Sequence, residues 1–446
     1  MFDSVNEPSF RLDVAGLSDP FEVLAFTGSE GISEPFAFDI DLLIDDAQLD
    51  LASLLFRSAF LQFGPMHNGL NGQLQSVVQH EHGEGSRLCR VKLAPKLGCL
   101  ELRFSQRIFS SQSVPQILAQ VLKEHGIVGT QRRFDLHREY PVRTFCTQYR
   151  ESDLQFVQRL CAQARIHYYF EHSPEAHCLV FADDPAHLPV ADGASVDNGA
   201  EPAVRRWQVQ VQAPGVHEPA AGTHRAEGRS DLPTVRSAHW LALAGHPLAE
   251  CNRRWLLSRI EHRGDPACEP SYSNRLFAAA EAPLPAPVSI CARPRMHSLQ
   301  RAWVVMVDEP QPDQLRSVAV QFDWLYQGEG AAASHCWLPL APALSDTSPA
   351  SLREGVEVVV SFLEGDPDQP VISGFLQKSA ALEDDHELLP PVLPDVLPSA
   401  GLTQWLAGGE PMLLLCLIPG GGSYNHCTAS ICSCRLLASL DQGDAT

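Results

Sequence analysis

The chain has 446 residues, enough for roughly two to four domains with cores of their own. Hydrophobic residues make up 44% and charged residues 20%, an ordinary balance for a folded globular protein. A formal net charge of −21 argues against a nucleic-acid binder, because the phosphate backbone rewards Lys and Arg.

In chain order the first sixty residues read as β. The stretch FEVLAFTGSEGISEPFAFDIDLLI alternates through Phe36, Phe38, Ile40 and Leu42, with Gly28, Gly31 and Pro35 as breakers. GQLQSVVQHEHGEGSRLCRVKLAP follows as a hairpin whose tip falls at Gly83-Glu84-Gly85. SVPQILAQVLKEHG predicts a helix: Ser113 and Gln116 form a capping box, Pro115 lies in the first turn, and Gly126 stops it. Lys123 and His125 suit the negative end of its dipole.

YRESDLQFVQRLCAQARIHYYFEH (149–172) repeats that grammar, with Ser152 and Gln155 as a second capping box and Leu154, Val157, Leu160, Cys161 and Ala164 on one side. Ile166, Tyr168 and Phe170 then alternate as a strand, which places His167 facing outward. Further strands are read at VRRWQVQVQ, WLLSRIEHRG and SYSNRLFAAA. AEAPLPAPVSICARPRM is a Pro-rich boundary. A compact unit of about five short strands follows, ending in REGVEVVVSFLEGDPDQPVISGFLQ, and suits a small closed barrel of the OB type.

MFDSVNEPSFRLDV has no basic start or apolar core, so no signal peptide is expected. The apolar run Met412–Ile418 is far below the roughly 20 residues a spanning helix needs. A cytoplasmic origin is therefore expected, with any export by a route that reads no cleaved signal. Nine of the thirteen cysteines scatter from Cys89 to Cys336 without a framework spacing and read as small buried hydrophobes.

The chain resembles the VgrG family, spikes of the bacterial type VI secretion machine related to phage tail hub and spike proteins. The resemblance rests on GSEGISEPFAFDIDL, SQRIFSSQSVPQILAQVLKEHG, the 149–172 block, SRIEHRG, YSNRLF and EVVVSFLEGDPDQPVISGF, in order from about residue 5 to 378. It implies a mainly β fold with a few helices, and four regions. These are a phage-hub-like region at 1–292, an OB-fold barrel at 293–378, an acidic Pro-rich linker at 379–401 and a small Cys-containing appendix at 402–446. The first region would hold two β-barrel subdomains, with the helices near 113–126 and 152–165.

The resemblance also implies a homotrimer at the tip of the secreted tube. It would puncture target cells and carry effectors, with the tube protein, baseplate, effector and tip-capping protein as partners, and be secreted through the machinery itself. A hub or spike of a phage tail or tailocin is the nearest alternative. A spike-fused effector enzyme is a more distant one. In such a setting the 149–172 block is a structural joint, and no enzymatic activity is expected.

Three departures stand out. The family usually has Gly where Arg165 stands, so the second helix is expected to end differently here. PDQLRSV (312–318) replaces the usual DEYGRV, which implies an altered first hairpin in the barrel. No short alternating repeat of the family's β-helix needle is legible from Ala380 onward, which implies a short spike whose tail is an adaptor.

Chemical constellations read blandly. His80, Glu81 and His82 lie on a hairpin without a third ligand; Glu364, Asp366 and Asp368 lie within one turn, with no second wall for a substrate. Ser423 and its neighbours lack a scaffold for a nucleophile. No catalytic residue and no cofactor is assigned. His426, Cys427, Cys432 and Cys434 are the one set that could hold zinc, although their C-x4-C-x-C spacing is not a common zinc pattern and Cys416 competes. Disulfide formation after export and plain burial remain open for the same residues. Trp405, Met412, Leu413, Leu414, Leu415, Leu417 and Ile418 form an apolar surface on a tethered appendix, expected to dock a partner.

Overall fold

The computed structural model describes residues 10–46, 48–64, 68–82, 87–197, 199, 202–212, 223–280, 293–308, 317–325, 335–344 and 352–376. The expectations for the linker, the appendix, the 83–85 hairpin tip and the 312–316 part of the altered hairpin fall outside these residues. The chain forms two compact units.

Unit 1 begins with β1 (Arg11–Val14), β2 (Phe21–Gly31), β3 (Glu34–Ile44), β4 (Ser58–Gln62), β5 (Gly69–His82) and β6 (Arg87–Ala94). They pair antiparallel in the order β1-β4-β5-β6-β3-β2, and β2 returns to β1, so the six strands close into a barrel. Alternation explains the inside: Phe36, Phe38, Ile40, Leu42 and Ile44 of β3 are fully buried on one face. Gly28 proves not to be a breaker. It lies within β2 opposite Phe38, and a Cβ there would fall 2.3 Å from the Phe38 ring. The ring lies over the bare backbone, and the strand turns instead at Ile32 and Ser33. Pro35 is accommodated near the start of β3.

Next come β7 (Phe104–Phe109), α1 (Val114–Glu124), β8 (Arg132–Asp135), β9 (Cys146–Ser152), α2 (Asp153–Ala164), β10 (His167–His172) and β11 (His177–Ala182). Both capping boxes form; in the second, Ser152 Oγ accepts the Gln155 N–H at 3.2 Å while Gln155 Oε1 accepts the Ser152 N–H at 2.9 Å. The expected different ending of α2 is corrected. Arg165 itself takes the left-handed conformation (φ 53°, ψ 42°), so the family's turn is kept at a cost of about 1 kcal/mol. His125 does more than face a dipole: its Nε2 lies 2.6 Å from Oδ2 of the buried Asp153, which also accepts Arg103 Nε at 2.6 Å. β10 pairs with β11, and β8 adds parallel to β11, a third strand the sequence reading missed.

The outward placement of His167 is also corrected. Tyr168 and Phe170 fill one side of β10, and Tyr169 joins Val180, Leu188, Trp240 and Leu256 in a second apolar cluster. With both faces covered, His167 is buried, and desolvation followed by the Arg138 charge pushes its pKa down to about 4.

A second barrel completes unit 1: β12 (Ala194–Ser195), β13 (Val204–Gln212), β14 (Thr223–Ser230), β15 (Trp240–Ala244), β16 (Arg254–Gly264) and β17 (Tyr272–Ala279). The order is β13-β14-β17-β16-β15-β12, and a parallel bridge from Val196 to Val204 closes it. β16 serves both barrels: residues 254–256 pair with β15, whereas 259–264 pair with β2. Trp207, Trp255, Leu257, Ile260 and Leu276 lie in its core.

Unit 2 holds β18 (Gln300–Val304), β19 (Ser317–Phe322), β20 (Cys336–Pro339), β21 (Glu357–Phe362) and β22 (Pro370–Leu376). The order is β20-β19-β18-β21-β22, with a parallel bridge from Leu340 to Ile372 closing the ring. Residues 106–110 and 145–149 belong to this unit as well. Phe145 and Tyr149 pack with Val320, Phe322, Val358 and Val360. Asp368 Oδ1 accepts the Thr147 N–H at 2.6 Å.

Candidate functional site

A buried polar chain runs along the strands where the two barrels of unit 1 meet. Ser230 Oγ donates to Asn274 Oδ1, and Asn274 Nδ2 donates to Tyr272 Oη at 3.1 Å. Tyr272 Oη lies 2.7 Å from His262 Nδ1, and His262 Nε2 lies 3.1 Å from Glu30 Oε1. Ser237 Oγ donates to Glu30 Oε2 at 3.2 Å. Because the Glu30 carboxylate only accepts, the neutral His262 ring is the Nε2–H tautomer that donates to it, which leaves Nδ1 to accept the Tyr272 phenol proton. The chain is thus directional and ends on one carboxylate.

Burial alone would raise the Glu30 carboxyl, but the His262 hydrogen bond, followed by the Arg236 charge, lowers it to about 2. His262 is itself pushed down by burial, which outweighs Glu30, so the ring stays neutral beside a carboxylate. Arg236 supplies the nearby cation: Nη1 donates to Pro233 O and Val235 O, Nη2 to Asn68 Oδ1 and Gly69 O, each at 2.8–3.0 Å.

A second cluster centres on Asn71 of β5, which is buried. His172 Nδ1 lies 3.2 Å from the Asn71 N and 3.1 Å from its carbonyl. Asn71 Nδ2 donates to Pro174 O at 3.1 Å, and His177 Nδ1 lies 3.2 Å from Asn71 Oδ1. His177 Nε2 accepts the Lys96 N–H at 3.4 Å. Desolvation dominates both rings, lowering His172 to about 3 and His177 to about 4.

The Glu30–His262 arrangement holds strands together and does not present a reactive atom. The Glu30 carboxylate and the His262 ring are sealed from solvent, and a general base must reach the proton it abstracts. The 149–172 block divides among structural tasks: Glu171 pairs with Arg133 at 2.7 Å, Tyr168 Oη accepts from Gln158 at 3.0 Å, and Glu151 pairs with Arg159 at 2.7 Å. Asp366 accepts the Asp368 N–H at 3.1 Å and Gln369 Nε2 at 3.2 Å within its own turn, whereas Asp368 is spent on the Thr147 N–H. His80 is exposed on β5.

Among the described residues no group of three or more His, Cys, Asp or Glu could hold a metal. The zinc candidates His426, Cys427, Cys432 and Cys434, the docking candidates Trp405, Met412, Leu413, Leu414, Leu415, Leu417 and Ile418, and also Ser423, lie outside the described residues. Cys89, Cys146, Cys161, Cys251 and Cys336 are buried as expected, whereas Cys268 is exposed beside Asp265.

Glu30, Tyr272 and Asn274 were missed as a set because they come together only through pairings between β2, β14, β16 and β17, and Asn71 was missed because its histidine partners lie about a hundred positions further on. A signal existed in retrospect: Glu30, His262, Tyr272 and Asn274 lie within GSEGISEP, SRIEHRG and YSNRLF, three of the stretches that carry the resemblance.

The family described as phage tail baseplate hub (GPD) matches residues 29–217, which span most of the first barrel and the helix-bearing segment after it. The type VI secretion system spike protein VgrG4b of Pseudomonas aeruginosa is 35% identical over 465 aligned residues, covering 85% of this chain and 57% of the relative. VgrG5 of the same organism is 34% identical and covers 85% of this chain and 58% of the relative. A solved structure of the E. coli c3393 protein, described as a type VI secretion component similar to T4 tail proteins gp27 and gp5, shares the fold. Its TM-score is 0.69 at 23% identity, covering 82% of this chain and 99% of that one. The chain belongs to the VgrG family of spike proteins. It spans a little over half the length of the curated relatives it matches. Among the described residues no helix is long and apolar enough to cross a membrane.

Proposed function

We propose that this chain is a non-enzymatic subunit of a trimeric type VI secretion spike, seated on the secreted tube and carrying effectors into target cells. The observation that carries the reading is the succession of two closed six-stranded barrels and a closed five-stranded one, in the fold of a type VI secretion component. In the five-stranded barrel, closure of the third strand on the fifth supports an OB-type spike base. The polar joint also favours a mechanical role, since its charges and hydrogen bonds are consumed in holding strands together. Leu102 and Phe104, 75% and 67% exposed in the single chain, offer apolar surface that neighbouring copies would cover. Residues 402–436 would dock the cargo, and export would follow the tube and need no cleaved signal.

Light scattering on the soluble full chain is expected to report three times the 48.9 kDa chain mass. Deleting 380–446 should preserve that mass and abolish co-purification of cargo. A single-chain mass at micromolar concentration would overturn the spike reading, and cargo retained by the truncated trimer would overturn the docking assignment. A hub of a phage tail or tailocin would share the mass, and identifying the tube protein that co-purifies separates the two.

A further inference from the structure

We infer that the tip of the β10–β11 hairpin is an acid-release latch, held to Asn71 of the first barrel by two histidines that must both be neutral, and that mild acid frees it. At His177 the geometry leaves no room for an added proton. His177 has both ring nitrogens committed, Nδ1 to Asn71 Oδ1 and Nε2 to the Lys96 N–H, so protonating Nε2 would set two N–H groups against each other. His172 Nδ1 lies beside both the Asn71 N–H and the Asn71 carbonyl, while its buried Nε2 has no partner among the described residues, so a doubly protonated ring gives up the Asn71 N–H and keeps an unpaired buried N–H. The ring is edge-on to Phe36 with 5.0 Å between centroids, so a charge there would face apolar surface.

Protons have a way in. His172 borders a cavity of about 250 Å³ shared with Arg236, His239 and Glu171. His177 borders another of about 240 Å³ with Lys96, Gln131 and Glu175. Among the charged groups around the latch, Glu30 on β2 favours a charge on His172, whereas Arg236 and His177 oppose it, and Lys96 opposes one on His177. Burial outweighs Glu30.

Attached, both rings titrate at about 3 and 4; released, they return to roughly 6.5. The released form therefore binds more protons throughout that interval, and attachment weakens as pH falls from about 6.5 toward 4. Glu30, with its own low pKa, adds a loss only below about 4.5. Unit 2 supplies an internal control, since its described histidines, His297 and His335, are not buried.

Hydrogen–deuterium exchange of the full chain, corrected for intrinsic rates, reads the latch directly. Between pH 7.5 and 5.0, amides of residues 170–180 are expected to lose at least about ten-fold in protection, while 357–376 change less than about two-fold. The H172F/H177Q double variant should remove the pH dependence. Should that variant not fold, the wild-type series at pH 7.5, 6.5, 5.5 and 5.0 decides alone. Loss confined to 170–180 that follows the titration supports the latch. Unchanged protection, equal loss in both regions, or a folded double variant that keeps the wild-type pH dependence overturns it.

Discussion

Glu30→Ala is expected to destabilise unit 1 by about 2–6 kcal/mol, the range for two buried donors left without an acceptor. The substitution strands the His262 Nε2–H and the Ser237 Oγ–H in a sealed interior, where each unsatisfied donor costs roughly 1–3 kcal/mol. It also removes the carboxylate that balances the Arg236 charge. Glu30→Gln should cost less, about 1–2 kcal/mol, because the amide oxygen still accepts one of the two donors. Urea unfolding at pH 7.5, followed on the transition that carries unit 1, measures both. An alanine variant within about 1 kcal/mol of wild type would contradict the directional chain, as would a glutamine variant less stable than the alanine one.

Trp255→Ala should cost about 3–5 kcal/mol by leaving a large cavity in the second barrel. Trp255 is fully buried, lies edge-on to Trp207 with 5.4 Å between ring centroids, and carries the Arg253 guanidinium 4.7 Å above its own ring. Its Nε1 donates to Cys251 O at 2.9 Å. Trp255→Phe keeps an aromatic face for Trp207 and Arg253 but loses that hydrogen bond, so about half the penalty is expected. Calorimetry on the two variants should show unit 1 melting earlier with unit 2 unchanged. An alanine variant that melts with wild type would mean that the second barrel does not depend on this side chain.

Much of the fold was legible because local rules and long-range needs agree here. The capping boxes at Ser113 and Ser152 and the alternation of Phe36 to Ile44 are short-range signals, and the structure follows them. Where two layers cover one strand, those rules fail. β10 alternates in sequence, yet both of its faces are buried, so His167 could not be placed from period two. Gly28 looks like punctuation in one dimension and serves close ring-to-backbone approach in three. Arg165 shows tertiary context overriding a local preference, since Ile166 and the hairpin beyond it must start from a left-handed turn.

The sequence by itself determined the strand-rich character, the two helices and the family, because each is written in residues within a few positions of one another. Only the tertiary structure decided which barrel each strand closes, that β16 is divided between two barrels, and that Glu30 and His262 share a proton across 232 positions. The reason is physical: barrel closure and buried hydrogen bonds pair atoms through space, and one strand's periodicity says which face is apolar without saying what covers it.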